Sequence, residues 1–382
     1  MRTLGFLVGV LGIGVASDAH AEARVAWATS TQSPRPLAEA LDSVERAALD
    51  RCGAGDAGLS AAAWTLAARR AAGAGLADMD GIAFAQRAAG EPHPWARAWA
   101  ATGATLEEDA VARGLAAWLE GDPRIRRCGV ASVGRPGGPR SLVVLAVDAL
   151  ADLGPLPTRV RVGQWLTVEA RLRVRASGGK VFVATPTGMP REVPSWFDGT
   201  TLRARFAPAD VGAIAVQVLA DLPSGPRPVL DATVFADADP PATEPAAKAP
   251  GEDATGCPAQ RECHLAAMLA GARASVGESS LALDSALASV ARTHAVRMAQ
   301  LHQLAHDAGD GTVEDRLRDA GVESAEVAEN VVRAPSLSLA HRALWASPSH
   351  RANMLLPGVR RVGVGVVEDA HGDVWAVEVE AR

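Results

Sequence analysis

Apolar and polar residues follow different periods in successive parts of the chain. Between residues 34 and 153, segments such as LAEALDSVERAAL and EEDAVARGLAAWL place apolar residues three and four positions apart, the spacing of an amphipathic helix. The same region ends in SLVVLAVDAL, a continuous apolar run that favours a buried strand. We therefore predict an α+β domain over residues 34–153.

Residues 155–236 instead alternate polar and apolar side chains, as half-buried strands do. RVRVGQWLTVEARLRV, KVFVAT and AIAVQVL carry this alternation, and turns rich in Gly and Pro separate them. About six short strands at this spacing predict an all-β, immunoglobulin-like sandwich. Because no cluster of His, Ser or carboxylates occurs in it, we expect a spacer or a binding module.

Residues 237–256, rich in Pro, Ala and acidic residues, predict an extended linker because they lack large apolar side chains. The last domain, 257–382, opens with helical periodicity in LAAMLAGARASV. It ends with two strand segments, RRVGVGVVED and VWAVEVEA. Helices that flank a small antiparallel sheet predict an α-β-α layered domain of the α+β class.

A repeat relates the two outer domains. RRCGVASVGRPGGPRSLVVLAVDA at 126–149 parallels RRVGVGVVEDAHGDVWAVEVEA at 360–381, and each follows a helical half with a Trp before a Pro. The first domain has only His93 beyond the N-terminal signal and lacks a stretch like SHRANMLLP. We interpret it as a degenerate copy that keeps the fold and has lost the site. The alternative is a chance similarity between two strand hairpins.

The first 21 residues predict a cleaved secretory signal. Arg2 precedes the apolar stretch 4–16, which is short for a bilayer span, and Ala19-His20-Ala21 is a small-x-small cleavage pattern. We expect a mature chain that begins near Glu22 and is secreted or periplasmic, with an uncleaved anchor as the alternative. The net charge of −6 and the 4% aromatic content argue against nucleic-acid binding. We expect at most a peripheral contact with a membrane.

Export also decides how the four cysteines are interpreted. An even number of cysteines in an oxidising compartment favours disulfides over metal ligation. Four cysteines allow three sets of pairs. We favour Cys52–Cys128 and Cys257–Cys263, because each pair then stays within one predicted domain.

The candidate chemistry lies in the last third of the chain, which holds seven of the nine histidines. The motifs LAHDAGDGTVEDRL, AEN and SPSHRANML occur there in this order. Together they resemble the CAP superfamily (cysteine-rich secretory, antigen 5 and pathogenesis-related, or SCP-like, proteins), in particular its bacterial branch. The resemblance covers residues 265–382 and extends to the first domain only through the final strands.

The resemblance implies that His306, Glu329 and His350 line one cleft, in which some family members bind a divalent metal through the two imidazoles. Animal and plant members have a second glutamate, and its place falls near Ser347 here. Glu314, just before DRL, is a further candidate for the cleft. The residue chemistry agrees, because two imidazoles and a carboxylate suit an open zinc-like site.

Structural alternatives exist for several of these residues. His350 and Arg351 could hold backbone carbonyls at a turn, and Glu329 with Asn330 could cap a helix. We expect His294 to be a core histidine with a satisfied hydrogen bond. We expect His302 and His341 on helix surfaces. A local salt bridge is expected between Asp315 and Arg316.

The favoured function is therefore that of a secreted, non-enzymatic CAP-domain protein. It would bind a small hydrophobic ligand, a divalent metal or an envelope component. A second hypothesis is a metal-dependent peptidase or esterase with His306 and His350 as ligands and Glu329 as the base. A third is a structural envelope or adhesion module.

Overall fold

The computed structural model describes residues 25–37, 40–135, 137–245, 248–255, 257 and 260–382. The expected signal peptide, 1–21, lies outside these residues. Helices and strands are mixed through the described chain, as the α+β class requires, in two four-stranded and two five-stranded sheets. Of the helices in these ranges, none has both the length and the apolar character that crossing a bilayer demands.

The first helical domain surrounds a four-stranded sheet. After strand β1 (Ser30–Ser33), its elements are α1 (Ser43–Cys52), β2 (Ala54–Gly55), α2 (Ala57–Ala71), α3 (Met79–Ala88), β3 (Arg97–Gly103), α4 (Glu108–Trp118), β4 (Arg126–Gly134) and β5 (Arg140–Asp148). The strand order is β2-β4-β5-β3, with β2 parallel to β4 and the other pairs antiparallel. A disulfide between Cys52 and Cys128, with the Cα atoms 6.1 Å apart, joins α1 to β4. This is the pairing expected from the sequence.

Two five-stranded sheets form the all-β middle of the chain. Their strands are β6 (Ala151–Pro157), β7 (Arg159–Val160), β8 (Leu166–Leu172), β9 (Gly179–Ala184), β10 (Arg191–Val193), β11 (Ser195–Phe197), β12 (Thr201–Phe206), β13 (Gly212–Leu222) and β14 (Gly225–Ala236). The orders are β1-β6-β8-β12-β11 and β10-β9-β13-β14-β7, and the inward residues of both sheets share one apolar core. The immunoglobulin-like assignment stays a prediction.

The sandwich begins earlier than the sequence pattern indicates. β6 starts at Ala151, and β1, which precedes the first helical domain in the chain, pairs with it. The apolar run of β5 continues into β6, where Leu153 and Leu156 are buried in the sandwich core. One continuous run of apolar residues therefore contributes to two hydrophobic cores. The hydrophobic pattern alone does not show where the first domain ends and the sandwich begins.

Within the predicted linker, the described residues 237–245 and 248–255 pack against neighbouring elements. Trp27 donates from Nε1 to the carbonyl of Pro241 (2.8 Å), and Ala249 is buried in the core of the last domain. Because this segment also covers helix 337–346, His341 is fully buried, and its Nε2 lies 2.8 Å from the carbonyl of Pro250. The expectation that His341 lies on a helix surface is therefore wrong.

The last domain repeats the layout of the first. Its elements are α5 (Arg261–Ser275), β15 (Ala282–Leu283), α6 (Ser285–Leu301), α7 (Val313–Asp319), β16 (Val327–Ala334), α8 (Leu337–Ala346), α9 (Pro348–Met354), β17 (Arg361–Glu368) and β18 (Val374–Ala381). The strand order β15-β17-β18-β16 and its pairing directions match β2-β4-β5-β3. A second disulfide joins Cys257 to Cys263 near the start of α5, again as expected.

Equivalent glycines bring a helix close to the sheet in both domains. A Cβ on Gly129 would lie 2.1 Å from the carbonyl carbon of Leu59 in α2, and one on Gly363 would lie 2.1 Å from that of Leu287 in α6. Only glycine permits this approach of backbone to backbone. The sequence repeat therefore corresponds to a repeated fold.

Candidate functional site

His306 and His350 meet at a small cavity between the last domain and the sandwich. His306 follows α6 in a loop, and His350 lies in α9. The cavity is lined by Trp95, Ser224, Gly225, Pro226, Arg227, Pro228, Leu304, Ala305, His306, Val331 and His350. The volume open to the centre of a water-sized molecule is about 30 Å³. This space suits roughly one or two water molecules or an ion.

The turn between β13 and β14 covers this cavity. Gly225 has φ +101°, and a Cβ at this position would lie 2.5 Å from the Cβ of His306. The backbone N–H of Asp307 donates to the carbonyl of Ser224 over 3.0 Å. Glycine therefore permits both the left-handed turn and its close approach to the histidine loop.

His306 is oriented by the carboxylate of Glu329 on β16. Nδ1 of His306 donates to Oε1 of Glu329 over 2.9 Å. Arg316 of α7 forms a short ion pair with the other oxygen of Glu329 and donates to the carbonyls of His306 (2.8 Å) and Gly311 (2.6 Å). Glu329 is thus buried with both oxygens engaged, and Nε2 of His306 has no protein partner within the described residues.

His350 is held in a similar way by Ser347. Nδ1 of His350 lies 2.8 Å from the Ser347 hydroxyl, which donates to Oε1 of Gln217 over 3.2 Å. This contact engages Nδ1, and Nε2 of His350 has no protein partner in the part of the chain that the structure describes. Burial, reinforced by the nearby His306, lowers the pKa of His350 to about 3, so this ring is neutral at physiological pH.

Gln217 of the sandwich extends this network, although no motif in the sequence points to it. Its Oε1 also accepts from the backbone N–H of Ser349 (2.9 Å), and its Nε2 donates to Ser347 (3.0 Å) and Asp231 (2.9 Å). Burial raises the pKa of Asp231 to about 6. A glutamine within an alternating strand pattern looks like any outward-facing polar residue, so only the packing of the domains identifies it.

Asn330 and Asn353 fix α9 against the sheet. Asn330 donates to the carbonyl of His350 (3.1 Å), and Asn353 donates to the side-chain oxygen of Asn330 (3.0 Å) and to the carbonyl of Glu329 (3.1 Å). Glu329 and Asn330 lie inside β16, so the alternative that they cap a helix is wrong. Their side chains act on opposite faces of one strand.

Arg351 anchors the same helix to the sandwich. It donates to the carbonyls of Thr185 (3.0 Å), Pro186 (2.9 Å) and Gly188 (3.3 Å), and its guanidinium stacks over Trp345. Burial lowers the pKa of Arg351 to about 10. Arg351 therefore holds backbone carbonyls, which was the structural alternative for both residues. The His350 ring instead lines the cavity.

Two other expectations on α7 fail. Glu314 is exposed and does not line the cavity. Asp315 does not pair with Arg316; it forms a capping box with Thr312 and an ion pair with Arg318 (2.7 Å). Successive helical residues point about 100° apart, so Arg316 faces inward while Asp315 faces solvent. His294, in contrast, is the expected satisfied core histidine, bonded to Asp310 (2.8 Å) and the Ala305 carbonyl (3.0 Å).

The donor set fits a metal ion only in part. The two Nε2 atoms at one cavity are suitable imidazole donors, and each ring has its Nδ1 held by a second residue, as metal-binding histidines usually do. A third protein ligand is absent, since the described residues contain no group of three His, Cys, Asp or Glu arranged for a metal. Glu329 is bound to Arg316, so water would complete the coordination.

A family model for the cysteine-rich secretory protein family, CAP, matches residues 267–379. This range contains every motif that builds the cavity side of the last domain. Residues 267–379 form a CAP domain. No curated protein matches the chain.

Several solved structures resemble the chain. An outer surface protein of Borrelia burgdorferi is 16% identical with a TM-score of 0.31, over 34% of this chain and 96% of that one. An extracellular SCP-domain protein of Bacillus anthracis is 16% identical with a TM-score of 0.30, over 62% and 83%. A cysteine-rich secretory protein of Staphylococcus aureus is 16% identical with a TM-score of 0.28, over 62% and 81%. The scores are low, so the CAP assignment rests on the family model and the motifs.

The first domain shares the strand order of the CAP domain and lacks its site. In the CAP domain, Val379 on β18 pairs with Gly363 on one side and with Glu329 on the other. In the first domain, Leu145 on β5 pairs in the same way with Gly129 and with Ala98. Alanine therefore stands where the CAP domain has its cleft glutamate. The interpretation of the first domain as a degenerate copy stays a prediction.

Proposed function

We propose that the CAP domain binds one divalent metal ion, zinc by the chemistry of its donors, through Nε2 of His306 and His350. The observation that carries the proposal is that both rings line one cavity while Nδ1 of each is bonded elsewhere, to Glu329 and to Ser347. Neutral imidazole is the metal-binding form, and the low pKa of His350 keeps that ring neutral. Bound zinc would supply a Lewis acid with coordinated water.

The size of the cavity favours an ion over a small hydrophobic ligand. Ligand pockets usually measure roughly 300–1,000 Å³. The space open to the centre of a water-sized molecule here is about 30 Å³, and the β13–β14 turn closes over it. A sterol or an acyl chain would require this turn to move away from His306.

The engagement of Glu329 favours binding without turnover. A general base must be able to accept a proton from a bound water or substrate. Both oxygens of Glu329 are already occupied, one by His306 and the other by the Arg316 guanidinium. The hydrolase hypothesis is therefore the weaker one. The two disulfides support export to an oxidising compartment.

Calorimetry with zinc chloride tests the proposal on the full chain from Glu22. We expect one binding site in the wild-type protein and loss of its heat in His306→Ala and in His350→Ala, with circular dichroism unchanged. The matched control is His302→Ala/His371→Ala, because these two rings lie 6.1 Å apart outside the cavity. Absence of heat in the wild type, or heat that disappears only in the control, would contradict the proposal.

A further inference from the structure

The two sheets of the sandwich have different surroundings. The outer side of the β9–β13 sheet faces the CAP domain through Gln217 and the carbonyls that bind Arg351. On the opposite side of the sandwich, no helix within the described ranges makes an extensive contact with β8, β12 or β11. The outer face of these three strands is therefore open to solvent.

This open face carries two strongly exposed tryptophans. Trp165 is 66% exposed and Trp196 is 61% exposed. Trp196 pairs across the strands with Arg203, and Arg203 pairs with Glu169, so these side chains share one side of the sheet. We define the Trp165–Trp196 face by the residues Trp165, Glu169, Arg171, Trp196, Arg203 and Arg205.

Each tryptophan is accompanied by an arginine. The guanidinium of Arg205 lies 5.4 Å from the ring centroid of Trp165, and that of Arg203 lies 5.6 Å from that of Trp196. Arg203 is further held by Asp198 over 2.8 Å. Each indole thus has a guanidinium beside it that restrains its position, which reduces the entropy lost when a ligand binds.

The spacing of the tryptophans suits an extended polymer. Trp196 on β11 is paired through Arg203 on β12 with Glu169 on β8, two strands away. Trp165 lies four residues before Glu169 in the chain. At about 3.3 Å per residue and about 4.8 Å per strand, the Cα atoms of the two tryptophans are roughly 16 Å apart. One extended chain can therefore contact both indoles, whereas one small molecule cannot.

We propose that the Trp165–Trp196 face binds an anionic polysaccharide. Indole rings pack against the apolar faces of sugar rings, and guanidinium groups pair with carboxylate, sulfate or phosphate groups. Arg171 and Arg205 have no carboxylate partner in the described chain, so both remain available to an acidic polymer. Glu169 and Asp198 both pair with Arg203, so Arg171 and Arg205 are the charges that make this face cationic, on a chain whose net charge is −6.

Two other classes of macromolecule fit the face less well. A membrane would have to take up the charged side chains of Glu169 and Arg171, which share this face with the tryptophans, at a high desolvation cost. The DNA backbone carries a phosphate at every nucleotide and no hydroxyl group that could donate to Glu169. A polysaccharide can use the same carboxylate, because its hydroxyl groups donate hydrogen bonds to it.

Affinity electrophoresis of the full chain in gels that contain alginate, polygalacturonate or heparin tests this inference. We expect retardation by at least one of these polymers, and affinity about tenfold lower in Trp165→Ala and in Trp196→Ala, or about 1.4 kcal/mol each. Trp64→Ala is the matched control, because Trp64 is 58% exposed on α2, outside this face. It should bind like the wild type.

The charge of the ligand is tested by neutral dextran and by Arg171→Gln/Arg205→Gln. Dextran should retard the wild type far less, and the arginine variant should lose most of the affinity for the acidic polymer. The inference is overturned by equal retardation in dextran, by no retardation in any of the three acidic polymers, or by an equal loss in Trp64→Ala. Tryptophan-dependent binding to DNA or to phosphatidylglycerol vesicles in their place would also overturn it.

Discussion

Replacement of Glu378 by glutamine should increase the free energy of unfolding over that of the wild type, and by more at pH 8 than at pH 4. Glu378 and Glu380 are fully buried on β18, on the side of the sheet that carries Asn330. Burial raises the pKa of Glu378 to about 7, and burial together with the Glu378 carboxyl raises that of Glu380 well above its usual value. Both acids are therefore favoured in the protonated form in the folded protein.

The sign and size of the effect follow from these pKa values. Because the folded pKa of Glu378 lies above its ordinary value of 4.5, its contribution to stability is complete below pH 4.5 and is lost as the pH rises through about 7. A difference of this size corresponds to about 3 kcal/mol at pH 8. Glutamine cannot ionise and still offers an oxygen to Asn330, which donates to Glu378 over 3.3 Å.

Urea unfolding followed by tryptophan fluorescence at pH 4 and pH 8 measures this difference. The free energy of unfolding of Glu378→Gln minus that of the wild type should be about 3 kcal/mol larger at pH 8 than at pH 4. Glu314→Gln, at an exposed position, should show nearly the same difference from the wild type at both pH values. Equal stability changes of Glu378→Gln at the two pH values would refute the assignment of a raised pKa to this residue.

Three further substitutions test other parts of the structure. Gln217→Ala removes the partner of Ser347 and should cost about 2 kcal/mol in denaturant unfolding and weaken zinc binding in calorimetry; unchanged zinc affinity would refute its role in the site. Arg316→Ala leaves the Glu329 carboxylate buried without its cation and should cost about 3–5 kcal/mol; a melting temperature like the wild type's would contradict this. Replacing Cys52 and Cys128 by alanine opens a 76-residue connection and should cost about 4 kcal/mol in urea unfolding; a cost near zero would contradict this.

The sequence predicts those parts of the site that belong to one domain. The motifs around His306, Glu329 and His350 identify residues that the structure brings to one cavity or directly beside it. Local periodicity also predicts the helices and strands, because each domain buries the apolar side of its own elements. The cysteines could be paired because each pair closes within one domain.

The parts that the sequence does not predict depend on contacts between distant segments. Gln217 lies 130 residues from Ser347, and nothing local distinguishes it from an exposed strand residue. His341 looks like a surface residue of its helix in the sequence, and only the contact with the distant Pro250 shows that it is buried. Glu378 and Glu380 occupy strand positions where alternation suggests solvent, yet both are fully buried. Tertiary packing decides each case.

Anomalous scattering at the zinc edge, from crystals of the full chain grown with zinc, tests the shared histidine cavity most directly. We predict one strong peak about 2.1 Å from Nε2 of both His306 and His350, beneath the β13–β14 turn. The two Nδ1 atoms should remain bonded to Glu329 and Ser347. A peak bound to only one of these rings, or only at His302 and His371, would contradict the account.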